Sequence, residues 1–193
     1  MKRLQGWGDV NTTYPVTEPA RAFLTEVVGA PLNLKDASPE DIIAKIPKSK
    51  LKPHPLITTD PLERLQHARG QSASDWVDMC DGLIDTFPDG VAYPSSIEDI
   101  KTLIEYAKRT GAHLIPYGGG SSVVGHLTPR KQDRPNLSID MSRIDKVIEL
   151  NQEDMTATIG AGAKGPILEE QLNQAGYTLG HFPQSWEYST LGG

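Results

Sequence analysis

Tyr117-Gly118-Gly119-Gly120-Ser121-Ser122-Val123-Val124-Gly125 sets three consecutive glycines and two hydroxyls directly behind an apolar run. Glycine loses more backbone entropy on folding than any other residue, so a triplet needs a physical reason, and the usual ones are a positive φ or the close approach of a ligand. From Thr110 to Pro129 there is no Lys, Arg, Asp or Glu. A ligand bound here must therefore be held by backbone N–H groups and by the hydroxyls of Ser121 and Ser122, a donor set that suits a phosphate in a nest of amides. Each hydrogen bond to a charged oxygen contributes roughly 1.5 to 3 kcal/mol, so a handful offsets the desolvation of a pyrophosphate without a lysine. A flexible turn is the competing reading.

Two other stretches carry motif-like residues. Gly125 is followed by His126 rather than Lys, which excludes a Walker A loop. Gly160-Ala161-Gly162-Ala163-Lys164-Gly165 matches G-x-G-x-x-G between a predicted strand and a predicted helix, so a Rossmann-type nucleotide site is an alternative. Against it, the next strand lacks an acidic residue at its end, and close packing of the helix that starts at Pro166 on its strand also accounts for the glycines. Gly180 to Thr190 mixes Phe182, Trp186 and Tyr188 with Ser185, Ser189, Thr190 and one acid, Glu187. That mixture suits a planar ring with polar edges, while the aromatics would serve equally as core. No carboxylate pair, metal-spaced His/Cys cluster or nucleophile–base arrangement is legible, so any chemistry falls to a cofactor.

The elements that must position these loops follow from period and punctuation. Glu18 to Val28 reads as a helix with Leu24, Val27 and Val28 on one face, stopped by Gly29 and Pro31. Ser38 caps a short helix with Pro39 first, Glu40 and Asp41 in its first turn, and Ile42, Ile43 and Ile46 inward. Prolines from Pro47 to Pro61 make an extended connector, and Leu62 to Thr86 is helical with a break at Gly70. At Gly90 the pattern changes. Val91 to Tyr93 is a strand, Ser95 and Glu98 form a capping box, and Ile97, Ile100, Leu103, Ile104 and Ala107 give an apolar helix face that ends at Gly111. His113 to Tyr117 is a strand that runs into the glycine loop. Leu137 to Asp140 and Lys146 to Leu150 read as two strands joined by a turn, with Thr156 to Ala161 as another. Pro166 opens a helix through Ala175, with Ile167, Leu168 and Leu172 inward. The second half repeats the strand, helix, strand, loop plan of the first. We divide the chain into a helical segment, 1–86, and a cofactor domain, 87–193.

With 193 residues the chain holds one ordinary core and a small extra lobe. Its net charge of -6 argues against nucleic acid, and the Lys48, Lys50, Lys52 cluster reads as a solvated loop. Cys80 is the only cysteine, which fits a reducing, cytoplasmic setting. Trp76, Met79, Cys80 and Leu83 fall at helical spacing and read as core. No apolar run is long enough for a transmembrane segment, and Met1 to Gly8 lacks the pattern of a signal peptide.

Pro116-Tyr117-Gly118-Gly119-Gly120-Ser121-Ser122-Val123, followed by Gly180-His181-x-Pro183-x-Ser185-x-Glu187-x-Ser189-Thr190-x-Gly192-Gly193, resembles the FAD domain of the vanillyl-alcohol oxidase superfamily. Within it the likeness is to the alkyldihydroxyacetonephosphate synthases and their bacterial relatives. Gln5-Gly6-Trp7-Gly8 resembles that subgroup's Asn-Gly-Trp-Gly opening, and Arg64 with Ala68-x-Gly70 resembles its Arg-x-x-x-Ala-His-Gly segment. The resemblance implies an α+β fold, the PCMH-type FAD-binding domain of two α/β lobes, preceded here by the helical segment. It implies FAD gripped at the pyrophosphate by Pro116, Tyr117, Gly118, Gly119, Gly120, Ser121 and Ser122. Gln184, Ser185, Trp186, Glu187, Tyr188, Ser189 and Thr190 would pass along it, with Thr190 nearest the reacting face. It implies a flavoenzyme that exchanges the acyl chain of an acyl-dihydroxyacetone phosphate for a fatty alcohol through an adduct at flavin N5, or an oxidase that removes hydride from a hydroxy acid or alcohol.

Members with covalent FAD often carry histidine at the place of Gly120, so noncovalent FAD is expected. Gln184, Trp186 and Tyr188 depart from the Asp, Leu and Phe usual in the synthases. The likeness also implies that the second lobe is incomplete at Gly193 and that a cap domain with the catalytic side chains lies beyond it. A homodimer and a peripheral membrane contact through that further part are the partner expectations, beside a small-molecule or lipid-like substrate.

Overall fold

The computed structural model describes residues 3, 4, 6, 8–32 and 35–193. Gln5 and Trp7 of the opening motif lie outside the described residues, while Gly6 and Gly8 both adopt positive φ. Helix α1, Glu18–Val28, forms as the pattern predicts and ends at Gly29, φ 94, whose N–H bonds the Thr25 carbonyl. It buries none of its residues, so the apolar face of Leu24, Val27 and Val28 stays exposed.

Helix α2, Pro39–Ile43, is capped by Ser38, whose hydroxyl oxygen accepts from Asp41 N at 3.1 Å. Its Ile42 is completely buried in a cluster with Leu65, Ala68, Met79, Ile84 and Phe87, and Ile43 and Ile46 pack on the rim. The connector contains a two-residue strand, β1, Ile57–Thr58. The following helical stretch is two helices, α3, Pro61–Gln66, and α4, Ala73–Cys80. The break falls around Gly70 as predicted. A Cβ there would stand 2.5 Å from the Ser122 carbonyl oxygen, to which Gln71 N donates at 2.6 Å. Helix α4 stops at Cys80 rather than Thr86, because Gly82 turns the chain with φ 66. Of its four predicted core residues Met79 is buried and Cys80 half-buried, whereas Trp76 and Leu83 are exposed. Leu83 lies past the helix end, and Trp76 turns outward to donate its indole N–H to Gln71 Oε1 at 2.6 Å.

The first sheet contains β2, Gly90–Ala92, β3, His113–Tyr117, and β4, Asn136–Asp140, in the order β1-β2-β4-β3. Strand β4 lies between β2 and β3, parallel to both, and every one of its residues is buried. A strand covered on both faces favours apolar side chains, as at Leu137 and Ile139, while the buried Ser138 hydroxyl has no hydrogen-bond partner among the described residues. Helix α5, Ile97–Thr110, joins β2 to β3. Its cap is Ser96 with Asp99, one residue later than the predicted Ser95 and Glu98. Asp99 N donates to Ser96 Oγ at 3.0 Å, and the Asp99 carboxylate accepts from Ser95 N at 2.8 Å and Ser95 Oγ at 2.9 Å. Glu98 pairs with Lys101 on the outside. Leu103, Tyr106 and Ala107 are buried, while Ile97 and Ile104 of the predicted inward face are exposed.

Strand β5, Val147–Asn151, does not pair with β4. It forms a separate antiparallel hairpin with β6, Thr156–Ile159, so the predicted turn between two neighbouring strands is the passage from one lobe to the other. Helix α6, Gly165–Gln174, packs on the hairpin through Leu168 and Leu172, with Ala163, Val147, Leu150, Ile159 and Tyr177. Ile167 is exposed and Glu169 takes a buried place instead. Tyr177 to Phe182 form no strand, so the second lobe is a hairpin and a helix rather than a copy of the first.

The shifted cap is directly testable. Ser96→Ala should cost about 1 kcal/mol in urea denaturation, while Glu98→Ala should stay within about 0.5 kcal/mol because its ion pair is exposed. The reverse ranking would return the cap to Ser95 and Glu98.

Candidate cofactor site

Strands β3 and β4 end together, with Tyr117 opposite Asp140, and the glycine loop leaves from that point. Gly120 has φ 70, a conformation other residues rarely adopt. Gly118 and Gly119 are glycine for a different reason. A Cβ on Gly119 would overlap the Tyr188 carbonyl oxygen, and one on Gly118 would overlap Thr190 Oγ1. The close approach inferred from sequence is thus made, at these two positions, by the chain's own second loop.

The second loop is fastened on its far side as well. Leu191 N donates to the Ala163 carbonyl and Gly192 N to the Ala161 carbonyl, both at 2.9 Å, and Thr190 bridges Lys164. The three glycines of the G-x-G-x-x-G stretch are filled in turn by protein. A Cβ on Gly160 or Gly162 would overlap the carbonyl of Ile144 or Met141, and one on Gly165 the indole of Trp186. Strand β6 before them is half of an antiparallel hairpin, not of a parallel crossover. The Rossmann alternative is therefore wrong, and the partners that crowd these glycines are the inter-lobe passage and Trp186.

Between the two loops, α5 and α6 lies a cleft of about 840 Å³. Pro116, Tyr117, Gly118, Gly119, Gly120, Ser121 and Ser122 line it, and so do Ser185, Trp186, Ser189 and Thr190. Gln184 and Glu187 are exposed and do not line it. Tyr188 faces a separate cavity of about 220 Å³ behind the loop junction, with Gly8, Gln71 and Lys164. Gly119 and Gly120 border both spaces.

Sequence reasoning missed the apolar wall of Ile100, Ile104 and Leu114, and also His181 and Glu169. The signal was present in α5, whose apolar face is wider than one core contact needs; Ile104 is exposed because it fronts the cleft. Glu169 holds the lip: its carboxylate accepts from Thr178 Oγ1 at 2.7 Å and Gly180 N at 3.1 Å.

A buried polar cluster underlies the glycine loop. His67 Nε2 lies 2.9 Å from Asp140 Oδ2, and Nδ1 lies 2.7 Å from the Glu63 carbonyl. Its ring packs on Tyr117 with centroids 4.3 Å apart. Burial pushes the Asp140 carboxyl upward, but hydrogen bonds from His67 and Ser142 outweigh it and leave the group below its ordinary 3.8. Burial pushes the Tyr93 and Tyr117 hydroxyls well above their ordinary range, so both remain neutral donors. Tyr93 Oη donates to Glu63 Oε2 and Tyr117 Oη to the Gln66 carbonyl.

Residues 88–193 match the family model of the FAD binding domain, and the chain belongs to that family, with FAD as its cofactor. The chain is similar to alkyldihydroxyacetonephosphate synthase of Dictyostelium discoideum, 41% identical over 134 residues, which are 69% of this chain and 22% of that protein. A solved alkyldihydroxyacetonephosphate synthase superposes on 100% of this chain and 42% of its own with a TM-score of 0.83 at 30% identity. The mitochondrial D-lactate dehydrogenase (cytochrome) of Kluyveromyces lactis is 33% identical over 99 residues, 50% of this chain and 17% of that protein. The chain thus spans less than half the length of each. The mixed α+β fold in two lobes is that of these FAD-binding domains.

The cleft fits the cofactor. Among the described residues its lining has no Lys or Arg, so a pyrophosphate there would meet backbone N–H groups and serine hydroxyls. The apolar wall offers a face to a ring system, and the buried Trp186 Nε1–H has no partner among the described residues.

Two measurements check this geometry. Gly119→Ala must displace the Tyr188 main chain and should weaken FAD binding by about tenfold or more, whereas Lys164→Ala should change it by less than about threefold; flavin fluorescence titration reads both. Asp140 has a depressed folded value, so its contribution to stability is complete above 3.8 and is lost as pH falls through the lower folded value. Melting temperature against pH should lose part of its acid limb in Asp140→Asn.

Proposed function

We propose that the whole protein is an FAD-dependent enzyme of the alkyldihydroxyacetonephosphate synthase type, exchanging the acyl chain of an acyl-dihydroxyacetone phosphate for a fatty alcohol. The observation that carries this reading is a synthase-like backbone over the full chain, with its glycine loop and its Ser185–Thr190 loop joined at one cleft. Bound FAD supplies the reactive ring. Gly118 to Ser122 hold the pyrophosphate with amides and hydroxyls, and Thr190, packed against Gly118 and bridged to Lys164, supports the ring end. Residues 1–86 and 87–193 are the two working parts, a division that the matched span beginning at Pro88 supports. The substrate is lipid-like, and the setting is cytoplasmic, which the free Cys80 fits. No helix among the described residues is long and apolar enough to cross a membrane. A second reading, oxidation of a hydroxy acid, is favoured by the likeness to D-lactate dehydrogenase.

The two readings part on the fate of the flavin. With the whole protein, labelled fatty alcohol should enter the ether product in step with fatty acid release and without net flavin bleaching. Lasting bleaching by D-lactate under anaerobic conditions, with no alcohol incorporation, would select the oxidase instead. FAD is noncovalent in either case, since Gly120 carries no side chain at the position where covalent members place histidine. Acid precipitation should therefore leave the flavin in the supernatant. Flavin retained by the pellet would refute this.

A further inference from the structure

Residues 67–71 lie outside the matched FAD domain, between α3 and α4, yet they touch both ends of the glycine loop. At the loop's entrance His67 contacts Asp140 and packs, tilted, against Tyr117, the last residues of β4 and β3. At its exit Gln71 N donates to the Ser122 carbonyl at 2.6 Å, and the missing side chain of Gly70 makes room for that carbonyl. We propose that this segment is a clamp on the pyrophosphate loop and that His67 is a positioning residue for FAD, so that part of the cofactor affinity is set outside the FAD domain.

Three features support the assignment. The His67 side chain is 5% exposed and that of Asp140 10%, so water does not compete for their contact. Both His67 nitrogens are engaged, one at the Glu63 carbonyl and one at the Asp140 carboxylate, so the ring cannot rotate without losing a contact. Asp140 Oδ1 also accepts from Ser142 N at 2.8 Å, and Met141 N donates to the Tyr117 carbonyl at 2.9 Å. The pair therefore fixes where β3 hands over to Gly118. A loop that binds phosphate through main-chain N–H groups has no long side chains to adapt, so small displacements of its ends misalign several donors at once.

The inference rests on the reading that Gly118 to Ser122 hold the pyrophosphate. It is tested in the protein with its full chain by FAD titration and thermal melting. His67→Leu and Asp140→Asn should each weaken FAD binding about tenfold, and the double variant should be no weaker than either. His67→Gln places a donor nitrogen where Nε2 stood and should stay within about threefold of the parent. Ile42→Val, in the core of the same helical segment and outside the cleft lining, should lower the melting temperature without moving FAD affinity. Parent-like FAD affinity in His67→Leu, or an equal loss in Ile42→Val, would overturn the clamp. If the leucine variant does not fold, Asp140→Asn decides alone: parent-like affinity refutes the clamp and a tenfold loss supports it. Failure of the parent to bind FAD would overturn the pyrophosphate reading and the clamp with it. A parent that binds while all variants bind equally well would overturn the clamp only.

Discussion

The arrangement around the cleft depends on glycines that let neighbouring segments approach the main chain more closely than a Cβ permits. Gly118 and Gly119 admit Tyr188 and Thr190, Gly160 and Gly162 admit Ile144 and Met141, and Gly165 admits the Trp186 indole. These contacts form a continuous series from the first lobe, through the second loop, to the inter-lobe passage. Each would be opened by a single Cβ, and opening one would shift the next. The conformational entropy lost by so many glycines is the cost of a site whose two loops are held edge to edge.

The same closeness explains why the cleft can dispense with cations. Amides aligned by packing need no reorganisation when a charged group arrives, and they act in a partly desolvated space where each is worth more than in water. Lysine and arginine are absent from the lining among the described residues, and the ionisable cluster sits one layer below, with Tyr93 and Tyr117 held neutral and Asp140 held charged. That separation places these buried groups beneath the loop, where their hydrogen bonds support it.

The helical segment is structurally continuous with the FAD domain. Its β1 pairs antiparallel with β2, Arg64 Nε donates to the Pro88 carbonyl at 2.7 Å, and His67 and Gln71 brace the loop. Arg64 is buried with its guanidinium on the Pro47 and Pro88 carbonyls, so the arginine that stood out in the sequence ties the connector to the domain rather than binding a ligand.

By itself the sequence determined what local chemistry controls. Helix α1 and its glycine stop, the Ser38 cap, the break at Gly70, the helix end at Gly111 and the glycine loop after Tyr117 were all legible, because caps, positive φ and period act over a few residues. The paired motifs made the family legible, and FAD with it. Only the tertiary structure decided that β4 enters between β2 and β3 and that β5 leaves for another sheet, since strand order depends on contacts between residues far apart in the chain. It also decided which apolar face of α5 is core and which fronts the cleft. The pattern marks a residue as apolar, but not whether its neighbour will be protein or cofactor. Ser95 against Ser96 turned on whether Glu98 or Asp99 reaches back, a difference in side-chain reach that the spacing leaves open. The His67–Asp140 contact joins residues 73 positions apart, and no periodicity or motif carries that information. It exists because the β4 end and the α3 end are brought together by packing, where two buried polar groups must find each other or remain unsatisfied.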